Sequence, residues 1–300
     1  MELTISKEFT FKDAEDLIKN ADANEKITIY VKPGVYHGKV SLVHDNISLI
    51  GESKENTILE NGDYGYYMAP GATEKLGTFN SFTLFADGDN FFMKNITVKN
   101  NAGYGEKIGQ AIALYLDSDN AHIENCALIG RQDTLFTAPL PEHTIEPRGF
   151  KGPKENAPRK IQTQYYKNCY IEGDVDFIFG GATAYFEDCE IKSLKRDGVK
   201  TGQPEGYVTA ASTPESVTCG YVFNNCRFTS DCPVNSVYLG RPWRDYARVT
   251  VKNSYLGEHI KKEGWHDWGK ERAHDTTDYR EEGNYGPGAE LKDRVNWINK

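Results

Sequence analysis

No stretch of this sequence stays apolar long enough to cross a bilayer as a helix, which takes about 20 consecutive residues, so a transmembrane helix is excluded. The opening Met1-Glu2-Leu3-Thr4-Ile5-Ser6-Lys7-Glu8 has no basic segment leading into an apolar one, so no secretory signal is present as written. Positive charge is also in deficit: 35 Lys and Arg face 44 Asp and Glu, a net charge of -9. That balance argues against a general nucleic-acid binder, because nothing offsets phosphate repulsion over a broad surface. It leaves room for a polyanionic sugar gripped locally. Cysteine is sparse, six in 300 residues, and a chain of this length needs no covalent staples. No set of metal-ligating residues stands out, and neither a metal nor a cofactor is expected.

What the chain does contain is a repeat. Phe92-Met93-Lys94-Asn95-Ile96-Thr97-Val98 resembles His122-Ile123-Glu124-Asn125-Cys126-Ala127-Leu128, and the pattern returns around Asn168-Cys169, Asp188-Cys189, Asn225-Cys226 and Asn253-Ser254. The shared Asn or Asp recurs after 30, 43, 20, 37 and 28 residues. Each unit reads apolar, polar, Asn/Asp, small, polar, apolar. Asn and Asp suit a tight bend, and the flanking residues suit short strands with one face inward. A constant winding with loops of varying length on one side is repeat architecture. The expected fold is all-β, a right-handed parallel β-helix with short capping helices at both ends. An antiparallel sandwich explains the alternation but not the recurring bend. The four ladder cysteines should point inward as small hydrophobes, while Cys219 and Cys232 lie outside the pattern and are left either paired or free.

The chain is expected to form one β-helical catalytic domain over 1–300. Its N-terminal cap, 1–25, carries a helix from Phe11 to Ala21 with Phe11, Ala14, Leu17, Ile18 and Ala21 on one face. Ile27–Val31 and Ile47–Ile50 read as the first strands. Leu291, Arg294, Val295 and Ile298 share a helical face, which predicts a C-terminal cap helix over 289–300. The polar, proline-bearing stretch 137–160 reads as a long loop.

Two aspartates carry most of the chemistry. Asp133 stands in Gln132-Asp133-Thr134-Leu135 and Asp176 in Asp176-Phe177-Ile178-Phe179-Gly180. Either alone is explained as a turn residue. On one wall of a solenoid they become a carboxylate pair, and Arg241 in Leu239-Gly240-Arg241-Pro242-Trp243 can hold one of them ionised. That division yields a nucleophile and a general acid/base. Gln110 and Gln132 have amide N–H groups suited to a developing oxyanion, though either can instead satisfy a buried backbone group. Trp243, stiffened by Pro242, and Trp265 are candidates for a sugar platform. Trp268, Phe179, Phe136, Tyr66 and Tyr67 are weaker subsite candidates.

Gln110-Ala111-Ile112-Ala113-Leu114, followed in order by the motifs of Asp133, Asp176 and Arg241, resembles the motif set of pectin methylesterases (pectinesterases) over about Ile27 to Ile298. The segment with Gly152-Pro153-Lys154 resembles the bacterial branch. The resemblance implies that Asp176 attacks the C6 carbonyl of a methylated galacturonate. Asp133 would protonate departing methanol and then deprotonate water, while Gln110 and Gln132 donate to the oxyanion. Arg241 would orient Asp176, and Trp243 and Trp265 would line the sugar cleft. Gly34-Val35-Tyr36-His37-Gly38-Lys39 departs from the family by lacking a glutamate after the tyrosine.

The expected activity is removal of C6 methyl esters from homogalacturonan or methylated oligogalacturonides, giving methanol and free carboxylates. The expected enzyme is a cytoplasmic monomer acting on short oligomers, with no nucleic-acid or membrane partner; a secreted or periplasmic enzyme is the alternative. A polysaccharide acetyl esterase, a pectate or pectin lyase and a non-catalytic pectin-binding module remain the rival functions.

Overall fold

The recurring Asn or Asp takes the left-handed backbone region in every unit: φ is 60° at Asn95, 49° at Asn125, 54° at Asn168, 57° at Asp188, 54° at Asn225 and 51° at Asn253. Apart from glycine, Asn and Asp reach this region most readily, so each marks a sharp corner between strands. The computed structural model describes residues 1–145, 149–200 and 202–298. Among these, the strands form parallel sheets of ten, eight and seven strands. One coil shows the order. Phe92–Lys94 lies in the ten-stranded sheet, Thr97–Asn100 in the eight-stranded sheet and Leu114–Asp117 in the seven-stranded sheet. Ala121–Glu124 then returns beside Phe92–Lys94, with His122 opposite Phe92. This is a right-handed parallel β-helix.

Side chains of equal register stack inside. Tyr166, Phe186 and Phe223 are parallel rings 4.6 and 4.5 Å apart, close to the separation of neighbouring strands. The ladder cysteines Cys126, Cys169, Cys189 and Cys226 are buried and unpaired, and Cys219 and Cys232 are also free. The corner amides link coil to coil: Asn125 Nδ2 donates to Asn95 Oδ1 at 2.7 Å, and Asn225 Nδ2 to Asp188 Oδ1 at 2.6 Å. A second ladder turns the chain from the seven- into the ten-stranded sheet through Asn46, Asn90 and Asn120, again with positive φ. The long connections leave from both edges of the seven-stranded sheet rather than from one side, and so wall its outer face into a cleft.

At the N-terminus, Thr10 and Asp13 form a capping box that starts a helix over Phe11–Ile18. It buries Phe11, Ala14 and Ile18 against the first coil, while Leu17 remains 46% exposed. The predicted order of strands needs correction here. Glu2–Ile5 already forms a strand parallel to Ile27–Val31, using an edge that would otherwise stay open.

The C-terminal helix expected over 289–300 does not form. Residues 289–298 run in turns, with 299 and 300 outside the described residues. Arg294 explains this. It is buried in a bidentate pair with Glu281 and also donates to the carbonyls of Lys261, Lys262 and Gly288. A buried cation needs all these partners, and the Val295 N–H donates to Glu263 O at 3.1 Å, so tertiary bonds rather than an i to i−4 ladder hold the segment. The nearby short helix is Ala273–Thr276. Among the described residues no helix is long and apolar enough to cross a membrane.

Candidate active site

The cleft on the seven-stranded sheet has a volume of about 780 Å³ and is lined by Gln110, Gln132, Asp133, Asp176, Phe179, Arg241, Trp243 and Tyr66, among others. Asp133 and Asp176 occupy corresponding places in adjacent coils, since Leu135 pairs with Ile178 and the Asp133 N–H donates to Val175 O at 3.0 Å. Both lie just before or at the start of a strand with positive φ, 65° and 52°. Ala210 stands between Phe179 and the Arg241 loop, and its small side chain leaves Arg241 room to reach back. Arg241 Nε donates to Asp176 Oδ1 at 2.8 Å and Nη2 to Oδ2 at 2.7 Å. Its guanidinium lies between two rings, 3.8 Å from Tyr207 and 3.7 Å from Trp268. Sandwiching and bidentate bonding together fix one orientation of the cation.

The two carboxyls are electrostatically unequal. Both are nearly buried, with 8% of Asp133 and 6% of Asp176 exposed. Burial pushes Asp133 well above the ordinary carboxylate range, and the negative charges of Asp176 and Asp174 push the same way against Arg241. Burial raises Asp176 too, but Arg241, Lys270 and His266 oppose it. Asp133 is therefore the group that keeps a proton, and Asp176 the one held as an anion. Lys270 is brought down to about 8 by burial and by Arg244, and its ammonium caps the carbonyls of Pro242 and Trp243. Among the described residues, no hydrogen bond engages the side-chain amide of Gln110 or Gln132, and no three His, Cys, Asp or Glu side chains converge as metal ligands.

Two expected sugar-binding residues lie elsewhere. Trp265 is 1% exposed. It stacks on Tyr279 at 4.2 Å and donates from Nε1 to Glu281 Oε1 at 3.0 Å, inside the solenoid. Its partner in the motif, Trp268, faces the cleft instead. Phe136 is fully buried, packed against Tyr115, Phe79 and Phe179. It supports the floor rather than lining it. Trp265 is held inside by Tyr279 and Glu281, whereas Phe136 shares the outward face with its register partner Phe179 and is covered there by a second aromatic layer.

That layer was missed in the sequence. Phe79 and Phe150 come from two separate loops and pack against each other at 5.5 Å, with Trp243 stacked 6.3 Å from Phe79. The loop over 137–160 thus folds onto the cleft, and Ile145, Gly149, Phe150 and Lys151 line it. Residues 146–148 lie outside the described residues. Lys154 bonds Asp87 at 2.8 Å, and Lys160 pairs with Asp89, tying the loop to the coil edges. Gly152 is in contact with Phe79, with no space for a Cβ.

The Pectinesterase family model matches residues 5–141 and 150–300. "Pectinesterase 2" of Arabidopsis thaliana is 31% identical over 97% of this chain and 45% of its own length. "Pectinesterase" of Petunia integrifolia is 33% identical over 96% of this chain and 70% of its own. The chain spans about half the length of several curated relatives it matches. Among solved structures, the pectin methylesterase from carrot superposes with a TM-score of 0.79 at 29% identity, covering 100% of this chain and 88% of that one. The enzyme from Aspergillus niger, crystallised with an N-acetylglucosamine stub on an asparagine, gives 0.77 at 28% identity, covering 99% and 89%.

These likenesses correct two expectations. The assignment to a bacterial branch fails, because the matches are not specific to bacteria: curated relatives are from plants, and solved structures come from a plant, a fungus and an insect as well as from bacteria. Gly152 and Lys154, which suggested it, answer to packing on Phe79 and pairing with Asp87. The cytoplasmic location fails as well. Members of the family are characteristically secreted, cell-wall or periplasmic.

Proposed function

The chain belongs to the pectinesterase family, and from that premise we propose that it hydrolyses C6 methyl esters of homogalacturonan or methylated oligogalacturonides. The observation that carries this reading is the inequality of the two carboxyls: Asp176 is gripped by Arg241 through two hydrogen bonds, while among the described residues Asp133 in the preceding coil forms no ion pair.

In the first step an oxygen of Asp176 attacks the C6 carbonyl. The carbonyl electrons move onto oxygen, where the amide N–H groups of Gln110 and Gln132 receive them. Collapse breaks the bond to the methoxy oxygen, Asp133 delivers its proton there, and methanol leaves. A mixed acid anhydride now links the galacturonate acyl carbon to Asp176. In the second step Asp133, now a carboxylate, takes a proton from water as that water attacks the same carbonyl carbon. The product acid departs and Asp176 is restored. Trp243, Phe179 and Tyr66 flank the reacting sugar, and Arg241 keeps the nucleophile charged and oriented. The stretch 1–300 serves as one catalytic unit in this reading.

Methanol release from methyl-esterified pectin and from defined oligomers is the test, with acetate release from an acetylated polysaccharide and ultraviolet absorbance of unsaturated products as parallel assays. Methanol alone is expected. Acetate alone or an unsaturated product would replace the assignment.

A further inference from the structure

Trp268 holds a backbone conformation that a bulky residue rarely takes, with φ at 58°. Its backbone N–H donates to the ring Nδ1 of His266 at 2.8 Å, and that bond helps to set where its indole lies. The next residue, Gly269, also has positive φ and donates to Asp267 Oδ1 at 2.8 Å, so the whole turn is braced. The outcome is an indole 3.7 Å over the guanidinium of Arg241, closing the face opposite Tyr207. His266 is itself anchored. Its N–H donates to Gly240 O at 3.0 Å, and its ring packs edge-on against Tyr207 and Tyr238 with centroids 5.6 and 5.1 Å away.

An imidazole nitrogen accepts a hydrogen bond only when it carries no proton. We infer that His266 is a positioning residue acting through Trp268, a proton-sensitive latch whose neutral ring keeps the indole on Arg241 and whose protonation releases it. Once protonated, Nδ1–H faces the Trp268 N–H, donor against donor, and the left-handed turn loses a support. Arg241 then keeps Asp176 but loses one wall of its sandwich. The latch rests on the ester-hydrolase reading for its catalytic consequence, although not for its existence.

The charges around the ring set where it opens. Asp267 is its neighbour in the turn, Arg241 and Asp176 face it from the cleft, Lys261 stands on the preceding segment, and the Tyr207 and Tyr238 hydroxyls belong to the seven-stranded sheet. Burial lowers the imidazole below its ordinary value, Arg241 and Lys261 add to that, and the two aspartates oppose. The latch therefore stays closed at neutral pH and opens on the acid side of a free histidine.

The test is a pH titration of the full chain by NMR, following the His266 ring and the Trp268 indole, the latter assigned by its disappearance in Trp268→Phe. In the wild type the indole signal should move with the same midpoint as the His266 ring. In His266→Asn, whose side-chain oxygen can accept at every pH, that movement should vanish. Methanol release gives the second readout. His266→Ala should lose about tenfold in kcat at neutral pH with little change in KM, because Arg241 is less well held, and His266→Asn should recover most of it. An indole signal that ignores the His266 titration would overturn the latch, as would identical titrations in the wild type and His266→Asn. If His266→Ala fails to fold, the comparison of wild type with His266→Asn still decides. Coupled titration without methanol release from the wild type would keep the latch and dismiss the esterase reading.

Discussion

Asp188 and Asp176 are the same residue type in nearly the same left-handed conformation, φ 57° and 52°, and only their surroundings separate them. Asp188 turns the chain from the ten- into the eight-stranded sheet and accepts a hydrogen bond from Asn225 one coil on. Asp176 is the second residue of the strand Val175–Gly180 in the seven-stranded sheet, is almost fully buried and is clasped by Arg241. Backbone geometry is thus common to a structural corner and a candidate nucleophile. Burial, a cation and an open cleft make the second reactive, and none of these is a property of the corner itself.

The strongest way to break this comparison is to exchange the carboxyls for amides. Asp176→Asn and Asp133→Asn should each lose at least about 10³-fold in kcat, since each acts on the bonds changing in the transition state. Methanol release by purified variants decides it, and a near-wild-type rate from either would erase the distinction between corner and site. Next in size is Gln110→Ala, with a loss of about 3 kcal/mol, or roughly 10²-fold, expected in kcat from an oxyanion donor. Trp243→Ala should act chiefly on KM, because an aromatic platform serves bound substrate and transition state alike. Saturation kinetics on the two variants would show the split, and a loss confined to KM for Gln110→Ala would reverse these roles.

A smaller effect sharpens the comparison through stability. Asp133 has its folded pKa raised above the unfolded value of about 3.9. The folded state therefore binds its proton more tightly, and the charged form weighs against folding as pH rises from about 4 through the folded pKa. Asp133→Asn should melt higher than wild type at pH 7, with the gain shrinking toward pH 4. Melting curves at both pH values test the sign. The smallest effect belongs to the ladder. Asn125→Ala removes one buried-edge hydrogen bond and a left-handed preference, for about 1 kcal/mol of stability. Its kcat should match wild type, and a large kinetic defect there would mean that the corners and the site are coupled.

Local chemistry made much of this legible. The Asn and Asp corners were readable because left-handed backbone is a single-residue preference, and the inward cysteines because they follow those corners at a fixed offset. The helix after Thr10 announced itself by its spacing, although it ends at Ile18 and not at Ala21. Strand Glu2–Ile5 was not readable: four residues with weak alternation become a strand only because the edge of Ile27–Val31 is free. The C-terminal segment misled by its spacing. Arg294 sat on an apparent apolar face, and the partner that buries it, Glu281, is a carboxylate whose position no local pattern reveals.

By itself the sequence determined the winding, the corners and the residue types from which a cleft is assembled, since strand alternation and turn preference act over a few residues. The tertiary structure decided which aspartate meets a cation, because Arg241 reaches Asp176 across 65 positions of chain. It also decided that Trp265 enters the core while Trp268, three residues on, covers Arg241. Both have the same indole and the same motif. Stacked coils offered one of them Glu281 and Tyr279 inside and the other a guanidinium outside, and contacts between distant coils exist only once the solenoid has closed.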